Sequence, residues 1–415
     1  MQHFVTDLGK ELAGCFSDKL WCDTLPRVAQ HEPAIWHGMV AVASLDLEMR
    51  KRSEAPPTDV AIMHYSRALQ ALQVRLEDHR SPPKDVVSLA CVVFAMFEFK
   101  QDHHQSALRH ISGGLKILTE WLRGGLRGNS SSGTYLDRAK LQGVFLCLDA
   151  QAIHFGVKDF REFFSGPALD DHVKLTDFSS FEDAHMFFNQ IFHRASHWIN
   201  WLDPVTALGT RPSDEWMASE KETLKTQLAA WDTAFDRLGA TVTAPYHLLL
   251  ATRKIIEIVF AWSDDPSDPL GWDKYLPEFK EALFHAEAFL SLTVESPKGD
   301  PGRPTLTVAM DIVMPLFLIA TRCRDTVVRH KALKLLQTCN RTEGIWNAAQ
   351  CAIVVEQIIK MEEAAALEHD GHVPAEARMI CADVDCVADK AAIVEIRVRD
   401  EKDELHTMGL PLLLV

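Results

Sequence analysis

The stretch RCRDTVVRHKALKLLQTCNRTEGIW, residues 322–346, sets Cys323 between Arg322 and Arg324 and follows it with Asp325, His330, Cys339 and an Arg-Thr-Glu. Flanking guanidinium groups lower a thiol's pKa, and the thiolate is the nucleophile, so one reading is a reactive cysteine with Asp325 or His330 as its base. The other reading is a helix corner. Asp325 stands just before TVVRHKALKLL, where a carboxylate accepts backbone N–H bonds as an N-cap, with Val328, Ala332, Leu335 and Leu336 on the buried face. Thr342 or Asn340 then caps the next helix, which carries Ile345, Trp346 and Ala349 inward, and Arg341 and Glu343 pair with neighbours at the corner. The corner is the expected reading, because Asp325 has this structural use.

Other constellations fall short of the chemistry they suggest. DDPSD, with Asp264, Asp265 and Asp268, has the D-D-x-x-D spacing that holds magnesium and a diphosphate when it lies on a helix facing a cavity. Pro266 and Pro269 interrupt any helix there, and no second metal motif follows, so a polar surface loop is expected. His103 and His104 in DHHQS, and His369 and His372 in HDGH, lack a further donor at a recognised ligand spacing; both are expected in connections. The glycine-rich segment 124–133 lacks the G-K-[ST] ending of a phosphate cradle, and there is no G-x-S-x-G elbow. No residue is therefore assigned a catalytic, cofactor-binding or metal-ligating role, and no cofactor is expected.

The elements that would position any such residue are helices. Ile62, Tyr65, Leu69, Leu72 and Leu76 step by three and four, as do Leu108, Ile111, Leu115, Leu118 and Leu122. So do Leu224, Leu228, Trp231, Phe235 and Leu238, and the bulkier Phe188, Ile191, Ala195, Trp198 and Leu202; Leu283, Ala286 and Leu290 mark a shorter stretch. Each series paints one apolar stripe on a helix. VVSLACVVFAMFEF, residues 86–99, is too short to span a bilayer and predicts a fully buried helix. EAPPTD (54–59), RSPPKD (80–85), GGLRGNSSSGT (124–134) and ESPKGDPGRP (295–304) read as breaks. Near the end the period falls to two: RMICADVDCV and AAIVEIRVR predict a small antiparallel hairpin turning near Ala388-Asp389-Lys390. An Ala-Leu pair in RALQAL (67–72), SALRHI (106–111) and KALKLL (331–336) suits close helix approach, so stacked antiparallel helices in solenoid fashion are expected. The fold class is thus all-α with a small C-terminal β-hairpin, divided into a helical domain at 1–370 and a hairpin with tail at 371–415.

The 415 residues, 47% of them hydrophobic, suffice for a sizeable core. The formal charge of -15 opposes a phosphate backbone, and the longest basic cluster is Arg50-Lys51-Arg52, so no direct nucleic-acid contact is expected. The first residues, MQHFVTDLGKELAGCF, predict no secretory signal, and no membrane association is expected. The nine scattered cysteines suit packing thiols in a reduced compartment. The ten tryptophans and 21 phenylalanines are expected mainly in the core, with an apolar cavity between helices still open.

Three stretches carry a family likeness: FSDKLWCDTLPRVAQHEPAIWHGMVAVASL (16–45), HYSRALQALQVRLEDHRSPPKDVVSLACVVFAMFEFKQDHHQSALRHISGGLKIL (64–118) and PLFLIATRCRDTVVRHKALKLLQTCNRTEGIWNAAQCAIVVEQIIKMEE (315–363). Their order resembles the helical regulatory domain that follows the DNA-binding head in fungal zinc-cluster transcription factors. That head needs two C-x2-C pairs, and this sequence contains none. The resemblance implies a transcription regulator in the nucleus, with the cytoplasm as the alternative, that acts without its own head. It would control a secondary-metabolite gene cluster through protein partners such as a DNA-binding transcription factor, with a small apolar effector as a possible ligand. Two alternatives stay open: an enzyme on this scaffold that cyclises or isomerises an apolar metabolite, and a head encoded upstream.

Overall fold

The computed structural model describes residues 1–16, 18–50, 59–77, 84–125, 138–154, 177–202, 212–239, 241–293, 305–388, 391–399 and 405–413. The expected loops at 126–134 and 295–304, most of EAPPTD and RSPPKD, Lys51 and Arg52, the Leu122 side chain and the turn at 389–390 lie outside the described residues.

Two short helices, α1 (Gly9–Ala13) and α2 (Leu25–Ala29), lead into α3 (Pro33–Arg50) and its packing partner α4 (Asp59–Glu77). Next come α5 (Lys84–Phe99) with α6 (His104–Gly125), and α7 (Arg138–His154) with α8 (Phe181–Asn200). They are followed by α9 (Asp214–Arg237), and by α10 (Ala244–Trp262) packed on α11 (Leu276–Thr293). The last three, α12 (Val313–Arg322), α13 (Thr326–Thr338) and α14 (Ala348–Leu367), pack mutually. Capping explains several starts: Ser180, Ser213, Asp325 and Asn347 each accept backbone N–H bonds from the first turn of α8, α9, α13 and α14.

The all-α class stands, and contacts run mainly between sequential helices, as stacking predicts. The stripes of α6, α8, α9 and α11 are buried where described, except that Leu202 and Leu238, just past the ends of α8 and α9, are half-buried; every residue of α5 from Asp85 to Phe99 is buried. One continuous core joins them. The chain also closes on itself: Leu306 N–H donates to Glu11 Oε1 at 2.8 Å and Val308 N–H to the Leu12 carbonyl at 3.2 Å. At the same end, buried Asp46 of α3 accepts from His3, Arg50 and Lys100 at 2.6–2.7 Å.

The stripe assigned to α4 is corrected in part: Leu72 is buried and Tyr65 packs half-buried against the core as expected, but the stripe's other three residues turn outward. Ala61, Ala68 and Leu72 are buried, whereas Ile62, Leu69 and Leu76 face outward at 47%, 38% and 50% exposure. Both faces carry helical periodicity; the alanine face wins because small side chains let α3 approach closely.

Two small sheets accompany the helices. The first is β1 (Thr305–Thr307), parallel to β2 (Arg341–Glu343), which pairs antiparallel with β3 (Trp346–Asn347). The second is the expected hairpin, β4 (Met379–Ala388) with β5 (Ala391–Arg399), extended by a third antiparallel strand, β6 (Leu405–Leu413). It rests on α14, where Val354 and Ile358 meet Met379, Val394 and Ile396.

Candidate functional site

The stretch 322–346 is a corner in which charge is turned inward. Asp325 caps α13 through Val328 N–H at 3.0 Å, and Val328, Ala332 and Leu336 are buried. The following cap corrects the sequence reading. Thr342 lies in β2, Asn340 adopts φ 46°, and Asn347 caps α14; Ile345 and Trp346 are buried ahead of that helix, while Ala349 is exposed. Cys323 is buried, and burial pushes its thiol up to about 11, the opposite of activation. Its flanking arginines are engaged elsewhere. Arg322 donates to the carbonyls of Met379 and Ile380, and Arg324 donates to Glu362 at 2.8 Å.

Glu362 is the hub of this corner. Its side chain is 1% exposed and accepts from Arg324, from Arg329 at 2.7 Å and from Met379 N–H at 3.0 Å. Burial alone would raise the carboxyl's pKa, but the two guanidinium groups outweigh it and hold the pKa below the usual range. Sheet residues form a second buried network. Glu343 accepts from the N–H groups of Asp311, Ile312 and Val313 at 2.9–3.0 Å, filling the donor positions at the start of α12. Arg341 bridges Glu343 at 3.2 Å and Asp311 at 2.7 Å, so the expected pairing at the corner is present. Two buried carboxyls share that guanidinium; burial, with Asp311 beside it, pushes Glu343 up to about 7. Gly344 at φ +56° turns between β2 and β3 against the Gln151 amide, which leaves no room for a Cβ.

A third cluster escaped the sequence reading. His193 and His197 stand one turn apart on α8, and Asp149 reaches them from α7. Asp149 Oδ2 lies 2.7 Å from His193 Nε2 and 2.8 Å from His197 Nε2, and the two Nε2 atoms are 3.2 Å apart. Burial would raise Asp149, but the imidazole hydrogen bonds outweigh it and hold it below the carboxylate range; burial lowers His193. The H-x-x-x-H spacing was the available signal, since an i, i+4 pair shares one helix face.

The other sequence candidates stay apart. Asp264 pairs with Lys221, Asp265 accepts from Ser267, and Asp268 binds Leu270 N–H and Lys274, all in the turn after α10. His103 meets Glu98 at 2.9 Å, while His104 is buried at the start of α6. His369 and His372 are exposed in the connection after α14. Between α7, α8 and α10 lies a cavity of about 20 Å³, lined by Cys147, His185, Phe188, Leu249 and Met310 among others, with room for about one water. Among the described residues no helix is long and apolar enough to cross a membrane.

The apolar side chains that the core does not take are concentrated on α3 and α4. Trp36, Leu47 and Met49 are exposed on α3, and Val60, Ile62, Met63, Leu69, Val74 and Leu76 on α4. These helices lie within residues 1–149, the span over which the chain is similar to the fungal specific transcription factor domain. Beyond it, the chain is similar to the aspercryptin biosynthesis cluster-specific transcription regulator atnN of Emericella nidulans. The two are 23% identical over 458 aligned positions, covering 86% of this chain and 73% of the relative. No solved structure matches the chain.

Proposed function

We propose that this chain regulates transcription of a biosynthetic gene cluster in the nucleus, through protein partners that include a DNA-binding transcription factor. The observation that carries the proposal is the combined likeness: a transcription factor domain over residues 1–149, and a cluster-specific regulator similar over 86% of the chain. The charge of -15 supports delegating DNA contact to a partner. The exposed stripe of Ile62, Leu69 and Leu76 on α4 supplies apolar surface of the kind partners cover. An apolar effector would need a site other than the 20 Å³ cavity, which is too small for it. In this reading residues 1–370 form the regulatory unit, and 371–415 brace α14.

The test is a gene deletion in the source organism, followed by transcript and metabolite profiling. A clustered set of genes falling silent is the expected result. Transcripts that persist while one intermediate accumulates would replace regulation with the enzyme reading.

A further inference from the structure

Asp149, His193 and His197 combine the donor types that borderline divalent ions prefer, two imidazoles and a carboxylate. Tetrahedral zinc with bonds of about 2.0–2.1 Å places its ligand atoms about 3.3 Å apart. The His193–His197 Nε2 separation of 3.2 Å already matches that edge. The carboxylate oxygen, at 2.7 and 2.8 Å, would need to withdraw by about half an ångström, within reach of a small side-chain rotation.

Two other histidine pairs give the contrast. His37 and His64 meet through Nδ1 at 2.8 Å, and His247 and His285 through Nδ1 at 2.9 Å. One neutral imidazole donating to the other accounts for each pair, and among the described residues no third ligand atom joins either. At the α7–α8 junction both imidazoles instead aim the same nitrogen at one oxygen. If both donate to Asp149, two N–H groups crowd together at 3.2 Å. A cation among the three atoms would replace that crowding, taking one lone pair from each Nε2 and one from the Asp149 oxygen.

Burial is graded in a way that suits entry of an ion. The Asp149 side chain is 2% exposed and His193 8%, while His197 is 19% exposed and opens toward solvent. The His197 ring also lies 6.4 Å from that of Trp201, close enough for tryptophan fluorescence to report on it. We propose that Asp149, His193 and His197 bind one divalent first-row transition ion, with zinc as the best match, joining α7 to α8. This site is separate from the regulatory reading and stands or falls independently of it.

The experiment uses the full chain without a histidine tag, stripped with chelator and titrated with zinc against a chromogenic competitor. About one equivalent taken up is the expected result, with affinity reduced on the order of 100-fold or more in His193→Gln and His197→Gln. A rise in thermal midpoint of a few degrees should accompany saturation in the wild type. No uptake, or uptake unchanged in both variants, overturns the site. Circular dichroism checks that the variants fold. Should they not, X-ray absorption of the zinc-loaded wild type decides: a nitrogen and oxygen shell with imidazole scattering is expected, and a sulfur shell, meaning cysteine ligation, overturns the site.

Discussion

Helix α4 and the corner joining α12, α13 and α14 invert ordinary patterning in opposite directions. On α4, Ile62, Leu69, Val74 and Leu76 face outward while alanines are buried. In the corner, Arg329 and Glu362 are 0% and 1% exposed, and Asp311, Arg341 and Glu343 are buried with them. Apolar groups left outside stay hydrated as in the unfolded chain and contribute only when another surface covers them. Burying charges is costly unless each one is met, so the corner tolerates only one arrangement. The first kind of region suits association and the second fixes geometry.

Glu362→Ala tests the corner most severely. It leaves Arg324 and Arg329 buried beside no anion, and should lower unfolding stability by about 3–5 kcal/mol, read as a shift in the urea midpoint.

A pH comparison sharpens the same point. Glu343 titrates near 7 when folded against 4.5 as a free side chain, so the native state holds a proton that the unfolded chain has lost between those values. That contribution is present in full below about 4.5 and is lost as pH rises to about 7. Asp311→Asn removes the second carboxyl, lets Arg341 pair with Glu343 alone, and should flatten this dependence. The wild-type-minus-variant stability should therefore fall by about 2 kcal/mol across the window, measured by urea unfolding at each pH. A difference that stays constant with pH would mean that Asp311 does not raise the Glu343 carboxyl.

The smallest stability effect is expected at α4. Ile62→Lys together with Leu69→Lys should change stability by about 0.5 kcal/mol or less, because neither side chain is in the core. The same pair should silence the regulated genes when it replaces the wild-type chain. A large loss of stability would show that the face is packed, and normal transcripts would remove it as the partner surface.

Much of this fold was legible in the sequence, and the failures have physical causes. Leu108 to Leu118 and Leu224 to Phe235 have one apolar face and no rival, so periodicity placed them correctly. On α4 two adjacent faces compete, and the contact partner decides between them. The hairpin of β4 and β5 alternates cleanly, whereas Gly409 and Pro411 mask β6; Pro411 is tolerated on an edge strand. Strands β1 to β3 are two or three residues long and are held by Glu343 and Gln151, so no local pattern announces them. The two histidines of the cluster were readable as a one-turn spacing, but Asp149 stands 44 residues before His193 and only folding brings it near.

Asp149 has a near neighbour on α7 with a different partner. Gln151 donates to the Val308 carbonyl at 2.8 Å and accepts from Ile345 N–H at 3.3 Å. Two residues on a helix are about 200° apart, so α7 is gripped on nearly opposite flanks. Held that way, α7 is tied on one flank to α8 through the histidine cluster and on the other to the turn at Gly344 through Gln151, so a single helix fixes where the two lie relative to each other.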